Sequence, residues 1–384
     1  MSHVHVCLVS DQTIPNILGI HHFKPDTVLF ITTKDMEKKK KTQAIIDTLK
    51  TLGHCNDQEY QRIEVLEDSI LDCHLKIETI LQKMNVDELT INLTGGTKIM
   101  SIAAYELFKD YGSKMIYIPI SKNEFITPFP KKAHTRPETL SLRLSVIQYL
   151  TAYGLNTTIK PEKLERYRSE ALKRRHLSEW IGMNYERVKS LLVWLGGNLR
   201  EYRDKTEYTF QGDFKNPAVE EIDLIGQLGL LRSGDGLSKR MTRSEIRYIT
   251  GGWLEEFCFC KLHRYLGNGI DDIQLGLTLK NTKEGTENEF DVMFTKDNAL
   301  YLVECKTLDQ HNLDYKDVLY KIGALQNDFG LRVKSFWVTT SPHILKHEEL
   351  KPAVRARAEQ FKTTIVPPQD VINFDKIVAK ELQI

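Results

Sequence analysis

The stretch NEFDVMFTKDNALYLVECKT, residues 288–307, has the residue types of a phosphodiester-cleaving metal centre. Asp291 opens one short apolar strand, Glu304 and Lys306 end the next, and TKDN between them suits a hairpin turn. Side chains alternate along a strand, so Glu304 and Lys306 share a face while Val303 and Cys305 take the other. Pairing of the two strands brings the Asp291 carboxylate to the same end. Two carboxylates with open positions suit Mg²⁺ or Mn²⁺, hard ions that keep waters and bind phosphates. The lysine would orient or polarise a water attacking phosphorus and offset charge gathering in the transition state. Glu255 or Glu256, on a glycine-led helix, could add a further carboxylate. Asp-x(n)-Glu-x-Lys is short, and a solvated strand with an ion pair yields the same letters. The order of the surrounding elements therefore carries the reading.

A second constellation lies in INLTGGTKIMSIAAYELF, where a buried-type strand ends in Thr94-Gly95-Gly96-Thr97-Lys98 and a helix begins. Two glycines let backbone approach a ligand, and the first amides of a helix lack intrahelical partners at the positive end of its dipole. The hydroxyls of Thr94 and Thr97 and the ammonium of Lys98 add donors for phosphate or ribose oxygens. The spacing is neither Gly-x-x-x-x-Gly-Lys-[Ser/Thr] nor Gly-x-Gly-x-x-Gly, so neither an NTPase loop nor a dinucleotide fingerprint is supported. A plain glycine turn with Thr97 near the helix cap gives the same residues. A second loop, SDQTIPN, supplies Ser10, Asp11, Gln12, Thr13 and Asn16 after the first strand. In open α/β sheets ligands collect at the carboxyl ends of strands, so two polar loops there imply a pocket. Neither loop offers a catalytic base, so this region reads as a binding module.

The elements that must position these residues follow from periodicity. HVHVCLVS, TVLFITT, ELTINLT and SKMIYIPI read as strands buried in a parallel sheet. Between them MEKKKKTQAIIDTLKTL and ILDCHLKIETILQKM carry apolar residues at helical spacing, with Lys38 to Lys41 on a solvated face. Alternation of strand and helix implies a doubly wound sheet over residues 1–140, closed by the proline- and charge-rich ITPFPKKAHTRPETL. Residues 141–235 read as a helical connecting region. In it KPEKLERYRSEALKRRHLSEW fits a solvated helix with intrahelical ion pairs better than a basic nucleic-acid helix. NPAVEEIDLIGQLGLLRSGDG fits either a winged-helix piece or a lead-in to the last domain. Residues 236–384 then give helix (GGWLEEFCFCKLHRYLG), strands, a helical pattern (DYKDVLYKIGALQNDFG) and another strand, a small α/β domain.

Composition excludes several classes. The 384 residues exceed one ordinary core, so two or three domains are expected. Lys and Arg total 53 against 52 Asp and Glu, so an anionic partner must be held by local patches rather than by global charge. Six scattered cysteines without a secretory leader fit a reducing cytoplasm. Cys258-Phe-Cys260 lacks zinc-knuckle spacing and sits in apolar surroundings, so both are expected to be packed thiols. No apolar run is long enough to span a bilayer.

The order of a glycine-led helix with acids, Asp at a strand start, Glu-x-Lys on an apolar strand and a further helix resembles the PD-(D/E)xK nucleases. The resemblance implies metal ligands at Asp291 and Glu304, the lysine at Lys306, and the first-helix acid at Glu255, with Glu256 the alternative. Phe290 stands where that pattern often has proline. With SDQTIPN and NLTGGTK upstream, the whole resembles the CRISPR-associated Rossmann-fold (CARF) ancillary nucleases of type III systems. That family implies a homodimer whose CARF domains bind a cyclic oligoadenylate, usually cyclic tetra-adenylate. Binding switches on metal-dependent cleavage of DNA, RNA or both in antiviral defence. The rival expectation is a ligand-responsive CARF transcriptional regulator with a decayed nuclease domain. A repair nuclease without a second messenger would leave the glycine-threonine loop without a task.

Overall fold

The computed structural model describes residues 2–54, 59–84, 86–120, 122–130, 136–280, 287–307, 318–320, 322–323 and 329–384. The chain forms two compact units. One takes the described residues of Met1–Thr157, Thr295–Leu300 and Leu325–Val333, and the other the described residues of Thr158–Phe294, Tyr301–Ala324 and Lys334–Ile384.

The first unit alternates strand and helix as the apolar runs require. Its elements are β1 (His3–Leu8), α1 (Ile14–Phe23), β2 (Thr27–Thr32), α2 (Lys34–Lys38), α3 (Lys41–Thr51), β3 (Glu59–Glu64) and α4 (Ile70–Leu81). They continue as β4 (Glu88–Asn92), α5 (Lys98–Asp110), β5 (Lys114–Tyr117), β6 (Glu124–Phe129), β7 (Glu138–Thr139) and α6 (Val146–Ala152). The sheet order is β3-β2-β1-β4-β5-β6-β7. The first five strands in that order are parallel, and β6 and β7 extend the sheet antiparallel. Strands β1 and β2 are buried along almost their whole length, the reason they read as unbroken apolar runs. Side chains of β1, β2 and β4 pack with Ile77 of α4 and with Met100, Ala103 and Phe108 of α5 in one core.

Two details differ from the sequence reading. The lysine run breaks its helix, because Lys40 adopts a left-handed φ of 55° between α2 and α3. The proline-rich boundary contains β6, with Pro128 tolerated where the β5–β6 register shifts and a ladder donor is dispensable. Residues 131–135 of that boundary lie outside the described residues.

The second unit begins with α7 (Pro161–Lys173) and α8 (Arg175–Leu199), laced by the expected ion pairs Arg166–Glu170 and Arg175–Glu179. Then come β8 (Glu207–Asp213), α9 (Val219–Gln227), β9 (Leu231–Ser233) and β10 (Gly236–Thr242), forming an antiparallel sheet in the order β8-β10-β9. Their apolar positions are sparse, with Phe210, Leu237 and Met241 the buried ones, too few for a visible strand signal. Next are α10 (Arg243–Arg247), α11 (Trp253–His263), β11 (Asp272–Lys280), β12 (Glu287–Lys296), β13 (Ala299–Lys306) and β14 (Val333–Thr339). A two-stranded ribbon of β15 (Leu345–Lys346) and β16 (Glu349–Leu350), a helix over Pro352–Gln360, β17 (Thr363–Val366) and a helix over Phe374–Leu382 complete it. The main sheet of this part runs β11-β12-β13-β14-β17. Of the helical pattern at 314–330, Val318–Tyr320 and Ile322–Gly323 are helical, while 314–317, 321 and 324–328 lie outside the described residues. No described helix is long and apolar enough to cross a membrane.

Candidate ligand loops and candidate active site

Strand order reverses between β1 and β4, since β1 is followed in sequence by β2 on one side and flanked by β4 on the other. The loops after these two strands therefore lie side by side at the switch point, where open α/β sheets bind ligands. Their contact is tight: a Cβ on Gly95 would stand 2.0 Å from the Leu8 carbonyl oxygen and 3.4 Å from Ser10 Oγ. Gly96 adds a φ of +72°, which side chains other than glycine rarely adopt.

The candidate ligand residues divide into two groups. Ser10, Gln12, Gly96, Thr97 and Lys98 line half-buried or exposed backbone on this edge, and Asp11 is exposed and paired with Lys39 at 3.2 Å. Thr13 and Asn16 instead turn inward. Thr13 Oγ1 donates to the Ala152 carbonyl and Asn16 Nδ2 to the Leu8 carbonyl, at 2.5 and 2.9 Å, and both residues are buried. Their side chains shape the loop rather than face a ligand. Thr94 does the same, donating to Asn92 Oδ1 at 2.6 Å and accepting from the Ile118 amide at 2.8 Å. Thr97 caps α5 by accepting from the Met100 amide at 3.2 Å, while its hydroxyl donates to the Glu67 carbonyl at 2.7 Å. The first amides of α5 thus stand at the loop edge, while Lys98 is exposed beside them.

Sequence reading missed Asn92 and Tyr153. Asn92 is fully buried and ties three loop segments together: its Nδ2 donates to Asn16 Oδ1 and the Pro15 carbonyl, both at 3.1 Å, and its Oδ1 takes Thr94. A lone asparagine ending a buried strand was the available signal, because a buried amide must find partners. Tyr153 Oη donates to Gln12 Oε1 at 3.0 Å, a pairing across 141 residues with no local signature.

In the second unit α11 starts from a glycine turn in which Gly251 has a φ of +132° and lies close to Thr307, just past the Glu-x-Lys run. The two acids of that helix go to different sides. Glu256 forms a two-pronged ion pair with Arg174, Nε to Oε2 at 2.9 Å and Nη2 to Oε1, and is buried. Burial raises its pKa and Arg174 opposes the rise. Glu255 feels Glu289, Lys306, Arg203 and Glu304 instead, so it belongs to the acid cluster; burial first and Glu289 second push its pKa up to about 7.

Lys306 Nζ stands 2.7 Å from Glu304 Oε1 and 4.0 Å from Asp291 Oδ2. Asp291 Oδ2 also accepts from the Cys305 amide at 2.6 Å, which pins it against β13. Burial lifts the Asp291 pKa well above the usual carboxylate range, with Glu304 and Glu255 adding to it and Lys306 working the other way. Burial pulls Lys306 down, but Asp291 and Glu304 outweigh it and keep the ammonium charged. Cys258, Cys260 and Cys305 are buried free thiols, and burial pushes Cys260 up to about 12, as expected of packed thiols.

Among the described residues no three His, Cys, Asp or Glu side chains gather around one point close enough to hold a metal ion. The donor set nevertheless fits a hard divalent cation. Asp291 and Glu304 both present carboxylate oxygens to Lys306 Nζ, hard donors of the kind that suit Mg²⁺ or Mn²⁺. The raised pKa of Asp291, from burial first and from Glu304 and Glu255 next, is one that added positive charge would oppose.

Residues 4–149 match the family model of the Card1 CARF domain, and residues 242–383 match that of the Card1-like endonuclease domain. No curated protein matches the chain. Protein VC1899 of Vibrio cholerae has the same fold, with a TM-score of 0.80 at 17% identity over 99% of this chain and 98% of its own. Can2 of Sulfobacillus thermosulfidooxidans, solved in complex with cyclic tetra-adenylate, aligns with a TM-score of 0.77 at 20% identity over 99% of both chains. With both its α/β parts matched in order, this chain belongs to the CARF ancillary nucleases, joining a Card1 CARF domain to a Card1-like endonuclease domain.

Proposed function

We propose that this protein is a homodimeric nuclease switched on by a cyclic oligoadenylate, cyclic tetra-adenylate in the first place, and dependent on Mn²⁺ or Mg²⁺. The observation that carries the reading is the Asp291–Lys306–Glu304 cluster in an endonuclease domain that shares its chain with a CARF domain. The resemblance to Can2, which binds cyclic tetra-adenylate, supports the choice of activator. Asp291 and Glu304 hold the cation, with Glu255 on the helix beside them. A divalent ion held there would supply Lewis-acid polarisation of the scissile phosphate. Lys306, kept charged by its two carboxylates, orients the attacking water and offsets charge developing on the phosphoryl oxygens. Burial, with Glu304 and Glu255 after it, raises the Asp291 pKa, and a cation held there would oppose that rise and favour the carboxylate form that ligation needs.

On the sensor side, the amides at the start of α5, the half-exposed Ser10 and Gln12 and the ammonium of Lys98 receive the phosphates and riboses of the ring. A cyclic tetranucleotide is symmetric, so two copies of the loops present it with matching donors. The regulator alternative is disfavoured by α9, which exposes Val219, Ile222 and Asp223 and carries no basic residue to meet a DNA backbone.

The test is incubation with Mn²⁺ and plasmid or single-stranded substrates, with and without each cyclic oligoadenylate. Cleavage should require both metal and activator. Glu304→Ala and Lys306→Ala should each lower it by at least about 10²-fold while cyclic tetra-adenylate still binds by calorimetry. Cleavage that ignores the activator, or survives loss of Glu304, refutes the reading.

A further inference from the structure

The turn joining β12 to β13 is held more firmly than a hairpin requires. Asp297 and Asn298 both have positive φ, 51° and 58°, which makes a self-sufficient two-residue loop. Yet Thr295 and Asn298 are fully buried, and the side chains of Thr295, Asp297 and Asn298 bond to other residues of the first unit, to which the turn belongs. Asn298 Oδ1 accepts from the Leu144 amide at 2.8 Å, while its Nδ2 donates to the Leu142 carbonyl and to Asn123 Oδ1, both at 2.9 Å. Thr295 Oγ1 donates to the Leu144 carbonyl at 2.8 Å. Asp297 Oδ1 accepts from Arg143 Nε at 3.1 Å and Asn123 Nδ2 at 3.2 Å. Arg332 donates to the Asp297 carbonyl at 2.6 Å and accepts from the Leu300 amide at 2.9 Å.

The same residues reach the ligand edge by two routes. Leu331, next to Arg332, donates its amide to Gln12 Oε1 at 3.3 Å. Asn123 lies beyond the segment after β5, whose Ile118 amide is bonded to Thr94 of the glycine-threonine loop at 2.8 Å. Gln12, Ile118, Pro119, Lys122 and Arg332 line one small cavity. In the other direction, Asp291 precedes Thr295 by four residues and Glu304 follows Leu300 by four. A paired strand carries a displacement over that span, about 13 Å, without absorbing it in a loop.

We propose that Asn298 and Asn123 are positioning residues, and that the β12–β13 turn is the lever through which the CARF domain sets Asp291, Glu304 and Lys306. Ligand captured by Gln12 and the glycine-threonine loop shifts the clasp, and the clasp shifts both catalytic strands together. This rests on the reading that a cyclic oligoadenylate controls cleavage.

The full-length protein is compared with its Asn298→Gly and Asn123→Ala variants for Mn²⁺-dependent cleavage with and without cyclic tetra-adenylate, and for cyclic tetra-adenylate affinity. Asn298→Gly keeps the positive φ and removes only the side-chain clasp. Expected is a loss of stimulation of about tenfold or more with affinity unchanged within about twofold. Asn123→Ala, which leaves the turn intact, should act in the same direction. If the wild type is stimulated and both variants remain stimulated within about twofold of it, the lever is overturned while the activator reading stands. If the wild type is not stimulated by any cyclic oligoadenylate, both fall. Amide exchange in the wild type decides independently of variant folding: protection of residues 293–306 should change on adding cyclic tetra-adenylate, and unchanged protection overturns the lever.

Discussion

Asp291, Glu255 and Glu304 crowd negative charge around one ammonium, and the consequence is a measurable dependence of stability on pH. Glu255 rises from an ordinary value of 4.5 to about 7 through burial and Glu289. Between those values the unfolded chain gives up its proton and the native chain keeps it, so native stability falls as pH rises through this window. In EDTA, chemical denaturation from pH 5 to pH 8 should show that fall. Glu255→Gln should flatten it, gaining up to about 3 kcal/mol at pH 8, whereas a slope unaltered by the substitution would place Glu255 outside the cluster. At this scale much was legible in sequence: alternation along β13 puts Glu304 and Lys306 on one face. The choice between Glu255 and Glu256 was not, because it turns on Arg174, 82 residues away, claiming Glu256.

At the scale of elements, the glycine-threonine loop needs its glycines because β4 and β1 are neighbours whose ends pass each other closely. Gly95→Ala would drive a methyl group into the Leu8 carbonyl, so one strand end must move. The expected result is a loss of a few kcal/mol in stability, on the scale of other overpacked sites, together with loss of cyclic tetra-adenylate binding by calorimetry. Wild-type melting and binding in Gly95→Ala would refute the close approach. The parallel strands were readable because burial on both faces makes them continuously apolar. Strands β8 and β10 were not, since only one or two residues of each are buried, and β6 was hidden behind its proline. Helix α2 was merged with α3 for a similar reason, as a lysine in left-handed conformation leaves no mark in the periodicity.

For the whole molecule, the dimer in the proposed function has a candidate surface on the first unit. Leu66, Leu71 and Leu75 on and before α4, with Ile102 on α5, which packs against α4, are 56%, 68%, 56% and 53% exposed, large apolar side chains turned to solvent on two adjoining helices. Leu71→Asp combined with Leu75→Asp should convert a dimer into a monomer in sedimentation and weaken cyclic tetra-adenylate binding by at least about tenfold, since each copy contributes half the donors. A wild type that sediments as a monomer would contradict the assembly. The sequence alone determined the two α/β parts, the order of their motifs and the grouping of Asp291, Glu304 and Lys306 on paired strands, because periodicity and strand alternation are local properties of the chain. Only the tertiary structure decided which acid of α11 pairs with Arg174 and which lies among Glu289, Lys306 and Glu304, and that Thr13, Asn16 and Thr94 face inward. It alone revealed that residues 295–300, the turn joining β12 to β13 with the strand ends beside it, belong to the first unit. Those outcomes depend on hydrogen bonds and ion pairs between residues tens to hundreds of positions apart, and no local pattern records them.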